Sequence, residues 1–377
     1  MLERLEIGTP GLKTLVTSRV ELNGVNWSYR VQQLSMNDAM DLFRHHALLR
    51  APCSEQKKLA EQLFSFIDEQ LCACKVPEFE IASHFQIVNG CKFHPLALKL
   101  IGASLKKAAL SKWRTTAKNL QGKGEFFNNL KEIFWPLKTS LDSLEEPVER
   151  ECFMDISSFP DNKRIRAAAL MDMWVHTRGQ DEGGAYDILK KLADRHLIEL
   201  FMRTRDETVD LDERFNDLFI AQHDLLSELA VYVSKEEKSN TRLIINEGET
   251  FLDLVKGKHV ISQAQIVSIN TGENINFEWP DVPFPLVEVL ILNFSSSSYC
   301  LPPFLNCMEN LKVLIIANHN IAAAVLNGLL PSGSLKSLRA VRLEKISLPI
   351  SCTLMEPFNG VQKLSMILCK VDEVLEI

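Results

Sequence analysis

Arg19 and His223 carry side chains suited to an anion, and Pro95 with Leu96 opens an apolar helix start. His223 precedes the apolar series Leu226, Leu229, Ala230 and Val233, which has helical spacing. An imidazole at a helix start titrates near neutral pH and stands where unpaired N–H groups and the helix dipole favour an anion. Pro95 opens a second apolar series, Leu96-Ala97-Leu98. Proline has no N–H to satisfy, fixes φ and presents a rigid apolar face at the first position of a helix. The Arg19 guanidinium can place two parallel charge-assisted bonds on phosphate oxygens. Each has an ordinary alternative: His223 as a helix cap beside Asp224, Pro95 as a plain first-turn residue, Arg19 as a surface charge.

Other chemistry is less well supported. Cys91 and His94 lie one helical turn apart, but no orienting carboxylate or oxyanion donor accompanies them, so a cysteine nucleophile is not expected. The nine cysteines show no paired CxxC spacing and no histidine at zinc-finger distance. They are expected to be reduced and mostly buried thiols, with Cys72 and Cys74 at a helix end.

Length and composition set the scale. The chain has 377 residues, 46% hydrophobic and 24% charged, enough for two or three domains with ample core. Glu3, Arg4, Glu6 and Lys13 interrupt the first 30 residues, and no run of 18 apolar residues occurs, which argues against secretion and a membrane span and for a cytoplasmic protein. Residues 126–240 carry 15 basic and 24 acidic side chains. Such a segment would repel a phosphate backbone, so a nucleic-acid partner is not expected.

Periodicity supplies the elements that must carry these residues. Ser35 and Asp38 form a capping-box-like start for Ala39, Leu42, Phe43, His46 and Ala47 at helical spacing. Ala60, Leu63, Phe64, Ile67 and Leu71 repeat the pattern, as do Ala97, Leu100, Ile101, Ser104 and Leu105. A small helical bundle over 31–125 is predicted. After the turn signal Gln121-Gly122-Lys123-Gly124, helical spacing resumes at Ile133, Phe134 and Leu137. Helices over 165–174 and 185–193, a short strand pair from the run 197–202, and a helix starting at His223 would make a winged helix within 126–240.

From about residue 241 the period changes. Five segments fit LxxLxL, with middle positions Val267, Leu290, Leu314, Val341 and Leu364 spaced 23, 24, 27 and 23 residues apart. Each should give one short parallel strand stacked on the next, with 267–269, 290–292, 314–316, 341–343 and 364–366 on one concave face of a solenoid.

Three strings at these separations resemble one known family. They are Cys91-Lys92-Phe93-His94-Pro95-Leu96-Ala97-Leu98, Cys152-Phe153-Met154-Asp155-Ile156-Ser157-Ser158-Phe159-Pro160 and Ala221-Gln222-His223-Asp224-Leu225-Leu226. Together with Thr14-Leu15-Val16-Thr17-Ser18-Arg19 and the repeats, they resemble plant NB-ARC leucine-rich-repeat disease-resistance proteins. Gln222 before His223 resembles the helper subclass, of the N-requirement type with a powdery-mildew-resistance-like coil. The resemblance implies a multidomain α and α/β protein: a C-terminal remnant of a nucleotide-binding domain over 1–30, a helical first subdomain over 31–125, a winged-helix second subdomain over 126–240, and leucine-rich repeats over 241–377.

It also implies ADP or ATP as cofactor. Arg19 would sense the terminal phosphate, Pro95 with Leu96 would pack on the adenine, and His223 would donate to the β-phosphate of ADP in the resting state. Phe93 and His94 stand where the family has Gly and Leu, and loss of that glycine is expected to close off a positive-φ conformation. No Gly-rich loop ending in Gly-Lys-Ser/Thr occurs, nor a strand ending in paired aspartates. The expectation is therefore a receptor truncated at its start and within its repeats, impaired in nucleotide binding and, since the family has at most weak ATPase activity, not an enzyme. Other immune receptors or helper proteins would be its partners, with homo-oligomers in intact members. A nucleotide-independent adaptor or a non-functional fragment is the alternative.

Overall fold

The computed structural model describes residues 29–47, 76–121, 129–160, 164–202, 217–236, 241–246, 263–273, 279, 284–327, 335–348 and 360–371. Arg19, Cys53, Cys72, Cys74 and the series Ala60 to Leu71 lie outside the described residues. Among the described residues, no helix is long and apolar enough to cross a membrane.

Helix α1 (Met36–Ala47) begins as its sequence predicts: Asp38 N–H donates to Ser35 Oγ at 3.2 Å, and the Ser35 hydroxyl donates to Asp38 Oδ2 at 2.6 Å. Its buried stripe is Ala39, Met40, Phe43 and Ala47. Helix α2 (Val76–Gly90) was not signalled by a clean period; helix α3 (Pro95–Leu105) was. From Ala97 onward α3 is buried at every position except Lys99, as expected of a helix surrounded by others. At Gly102 an added Cβ would lie 2.9 Å from the Phe43 carbonyl oxygen and 3.0 Å from His46 Cβ, so glycine permits the close approach of α1 and α3. Helix α4 (Leu110–Gln121) completes this unit.

A second unit starts with α5 (Asn129–Leu141) and α6 (Pro147–Ile156). The latter carries the Cys152 to Ile156 string, whose helical state the sequence reading did not assign. A three-stranded antiparallel sheet of order β1-β3-β2 follows, from β1 (Ile165–Arg166), β2 (Glu199–Met202) and β3 (Leu218–Ala221). It frames helices α7 (Ala167–Thr177) and α8 (Glu182–Asp194). The first two residues expected in α7, Ile165 and Arg166, are strand instead, pairing with Ile220 and Phe219. Helix α9 (Asp224–Glu236) closes the unit one residue after its expected start. Both helical units share one continuous apolar core.

The five LxxLxL segments form parallel strands: β5 (Ile266–Gly272), β6 (Val289–Phe294), β8 (Val313–Asn318), β10 (Ala340–Glu344) and β12 (Lys363–Ile367). Their register places Val267, Leu290, Leu314, Val341 and Leu364 in one column, with Ile269, Leu292, Ile316, Leu343 and Met366 two residues on. An earlier strand, β4 (Arg242–Ile245), extends this sheet, and its short sequence gave no repeat signal. A separate second parallel sheet is formed by β7 (Ser298–Cys300), β9 (Ala324–Asn327), β11 (Ile346–Leu348) and β13 (Lys370–Val371).

Alternation along the strands sorts the two faces. Val267, Leu290, Leu314 and Val341 join the core between the sheets. Ile266, Val289, Ile291, Val313, Ile315 and Ala340 join the core of the helical units, because α7 lies on that face of the sheet. Among the described cysteines, Cys91 and Cys152 are buried but Cys300 and Cys307 are exposed and Cys369 intermediate, correcting the expectation of mostly buried thiols. The two exposed thiols sit at the rim of the solenoid, in β7 and at the end of the short 3-10 turn Pro303–Cys307, where a small residue borders solvent.

Candidate functional site

The turn before Pro95 is built against local preference. Cys91 N–H donates to the Ile87 carbonyl and His94 N–H to the Cys91 carbonyl at 3.0 Å, while Lys92 and Phe93 between them take φ of 52° and 57°. Left-handed backbone costs an L-residue about 1–2 kcal/mol. Buried Cys91, the partial burial of Phe93 on the core and a bond from Gln33 Nε2 to the Lys92 carbonyl at 2.9 Å hold it. Phe93 thus keeps the positive φ that loss of a glycine was expected to close off; tertiary anchoring outweighs the local penalty.

His94 is the N-cap of α3, with φ −78°, ψ 121° and no side-chain cap bond. Pro95, the first helical residue, is exposed, and Leu96 is half-buried on the core. His223 is exposed at the start of α9, where its carbonyl accepts from Leu226 N–H at 2.7 Å. Its Nδ1 accepts from Leu225 N–H at 3.2 Å. That bond selects the neutral tautomer with its proton on Nε2, leaving a donor on the far side of the ring.

The fold brings the two motifs together. His94 and His223 lie close enough to interact electrostatically, and burial first, then the nearby His223 ring, pushes the His94 imidazole below its usual pKa. His94 Nδ1 and the neighbouring Gln222 Nε2 are buried without a hydrogen-bond partner. Unsatisfied buried groups of this kind cost about 1–3 kcal/mol each and are repaid when a polar ligand arrives. Two helix starts, two imidazoles and an exposed proline face therefore converge on one seam. The arrangement can donate to an anion and cover an apolar ring, which fits a nucleotide; no cluster that could hold a metal ion occurs among the described residues.

Of the four residues selected from sequence, Pro95, Leu96 and His223 are at this seam and Arg19 lies outside the described residues. His94 was overlooked as a participant. Its signal was available: a histidine directly before a helix-opening proline is placed to present its ring at the helix start. Cys91 is sealed in the core and burial pushes its thiol pKa up, leaving it thiol rather than thiolate.

The Cys152 string acts at a distance from the histidines. Asp155, fully buried, accepts from Arg178 Nε at 3.0 Å and Nη2 at 2.7 Å, and from Arg242 Nε at 2.8 Å. Arg242 Nη2 also donates to Glu151 Oε2 at 2.6 Å. One carboxylate so fastens α6 to the end of α7 and to β4 of the solenoid.

No family model matches the chain. Among curated proteins it is 34% identical to the probable disease resistance protein At4g33300 of Arabidopsis thaliana, across 97% of this chain and 42% of that protein. It is 33% identical to disease resistance protein ADR1 of the same plant, across 98% of this chain and 44% of the relative. A further probable disease resistance protein, At5g66900, is 31% identical across 99% of this chain and 43% of its own length. The chain spans about half the length, or less, of these relatives.

Proposed function

The chain belongs to the family of plant disease-resistance proteins, and on that premise we propose that it carries the lid half of an ADP/ATP-dependent switch in a helper immune receptor. In this reading the helical unit and the α6 to α9 unit are the first and second subdomains after a nucleotide-binding domain, and the stacked sheets are leucine-rich repeats. Pro95 and Leu96 cover the adenine, His223 donates its Nε2 proton to a phosphate, and Arg19 completes the set. The protein acts in the cytoplasm as a signalling scaffold for other immune receptors.

One observation carries the reading: His94 and His223, 129 positions apart in sequence, come within electrostatic reach of each other at the starts of two different helices. Helix starts favour anions, and the buried Nδ1 of His94 lacks a partner that a phosphate oxygen or its bound water can supply. In the purified 377-residue chain, whose sequence holds no Gly-rich loop, these contacts are expected to bind weakly.

Calorimetry of the purified chain with ADP tests this. Binding above about 1 μM is expected, weakened roughly tenfold by His223→Ala, since a charge-assisted bond is worth about 1.5–3 kcal/mol. Absence of any ADP heat, with the variant indistinguishable, would overturn the switch. It would leave a nucleotide-independent adaptor, the second reading, which the Asp155 cluster favours by joining units and solenoid without a ligand.

A further inference from the structure

A second group of histidines crosses the same seam, on the flank away from His94 and His223 in sequence. His46 is in the last turn of α1, and its ring meets that of His196 at a centroid distance of 5.0 Å and an interplanar angle of 82°. His45 packs on His46 at 5.1 Å and 86°. His196 follows α8 with φ 57°, held by its N–H to the Ala193 carbonyl at 2.8 Å. Nearby, Lys99 of α3 reaches Glu199 of β2 across the seam at 4.0 Å. We propose that this cluster makes the join between the helical unit and the α6 to α9 unit an acid-sensitive catch, opened by protonation of His46 and His196.

The charges around the rings set the direction. His46 faces His45 on its own helix, Lys99 on α3 and His196 on the opposing unit, with Glu199 behind Lys99. His196 faces Lys99 and Lys106 from α3, opposed by Asp194 and Glu199. Only cationic or basic groups act directly on His46, whereas two cations and two carboxylates face His196, so these charges repel a proton on His46 and burial disfavours one on His196 as long as the seam is closed. Burial first, then His196, His45 and Lys99, lowers the His46 pKa to about 4. Burial first, then Lys99 and Lys106, lowers that of His196. A histidine pKa depressed in the closed state means that the join is fully stable above the ordinary value of 6.5 and loses stability as pH falls toward 4.

At pH 5.5 an open-state histidine is mostly charged while closed His46 stays neutral, which favours opening about tenfold; solvent screening at this half-exposed seam trims that to roughly threefold or more. The proposal does not depend on the nucleotide reading. Acid would open the seam with or without a bound nucleotide.

The test uses the full chain and hydrogen exchange at pH 7.5 and 5.5, comparing wild type with the double variant His46→Phe and His196→Asn at each pH. Phenylalanine keeps a ring without a proton, and asparagine tolerates the left-handed turn. Intrinsic exchange chemistry cancels between proteins at one pH. Peptides Lys99 to Leu105 and Leu197 to Met202 are expected to exchange alike at pH 7.5, and at least about threefold faster in wild type at pH 5.5. Equal behaviour at both values would overturn the catch and assign any acid response to His84, His94 or His176, which both proteins retain. Should the double variant fail to fold, Lys99→Gln serves. Removing that cation raises both ring pKa values toward 6.5 and is expected to shrink the acid response; an unchanged response overturns the proposal.

Discussion

Arg342 Nη2 lies 3.1 Å from Asp172 Oδ2, a pair 170 positions apart and buried at both ends. Arg342 is on β10 and Asp172 on α7, so the bond fixes the solenoid's sheet against the α6 to α9 unit. Lys363 Nζ reaches Asp172 Oδ1 at 3.0 Å and Glu182 at 2.7 Å, and Arg166 reaches Glu344 at 3.4 Å, continuing the same contact. One face of the stacked sheet is thereby covered by the chain itself.

Removing one partner strands a buried charge. Asp172→Asn is expected to cost about 3–5 kcal/mol, and the double change Asp172→Leu with Arg342→Met distinctly less, because no charge is then left buried. Urea denaturation followed by circular dichroism measures both; equal losses would show that the pair adds nothing beyond packing.

Asp155→Asn should be at least as damaging, since it leaves both Arg178 and Arg242 without their buried carboxylate. Loss of the β4 anchor should also raise hydrogen exchange at Leu243 and Ile245 selectively. Uniform exchange through the chain would mean global destabilisation only.

Lys92 is exposed and left-handed, so Lys92→Gly is expected to stabilise the chain by about 0.5–1 kcal/mol after the added entropy of the unfolded chain is counted. The readout is a higher denaturation midpoint with unchanged slope. A lower midpoint would show that the turn is not strained.

His84 is packed against Trp113, ring centroids 5.1 Å apart, and burial first, then Arg44, lowers its pKa to about 4. Its contribution is therefore present above pH 6.5 and lost as pH falls toward 4, by up to about 2–3 kcal/mol. Trp113 fluorescence during denaturation at pH 7 and pH 5 should follow this loss, and His84→Phe should flatten it. A variant as acid-labile as wild type would exclude His84 as the source.

Leu364 and Met366 end their columns 46% and 41% exposed, whereas Val341 and Leu343 beside them are buried. Leu364→Lys should change stability by less than about 0.5 kcal/mol, while Val341→Lys should prevent folding, since a lone buried ammonium costs several kcal/mol. Soluble yield and thermal melting distinguish them.

Much of this fold was legible because its signals are local and repetitive. The Ser35 cap, the helix opened by Pro95 and the strand columns from Val267 to Leu364 depend on neighbours a few residues away or on a period that recurs. Helix α6, strand β4 and the second sheet were not legible, since each is too short to show a period and is fixed by partners elsewhere. Conformation at Phe93 was misjudged for the same reason: intrinsic preference opposed it, and Gln33 with the buried Cys91 decided it.

The sequence by itself determined that this chain has helical units, a stacked parallel sheet, and a histidine and a proline each at a helix start, because side-chain period and capping chemistry act over single turns. Only the tertiary structure decided that His94 comes within electrostatic reach of His223, that His46 meets His196, that Asp155 gathers two arginines and that Arg342 is buried on Asp172. Those pairings join residues far apart in the chain. They arise where apolar faces exclude water and a buried charge must find its opposite within reach, a condition that no local pattern of residues records.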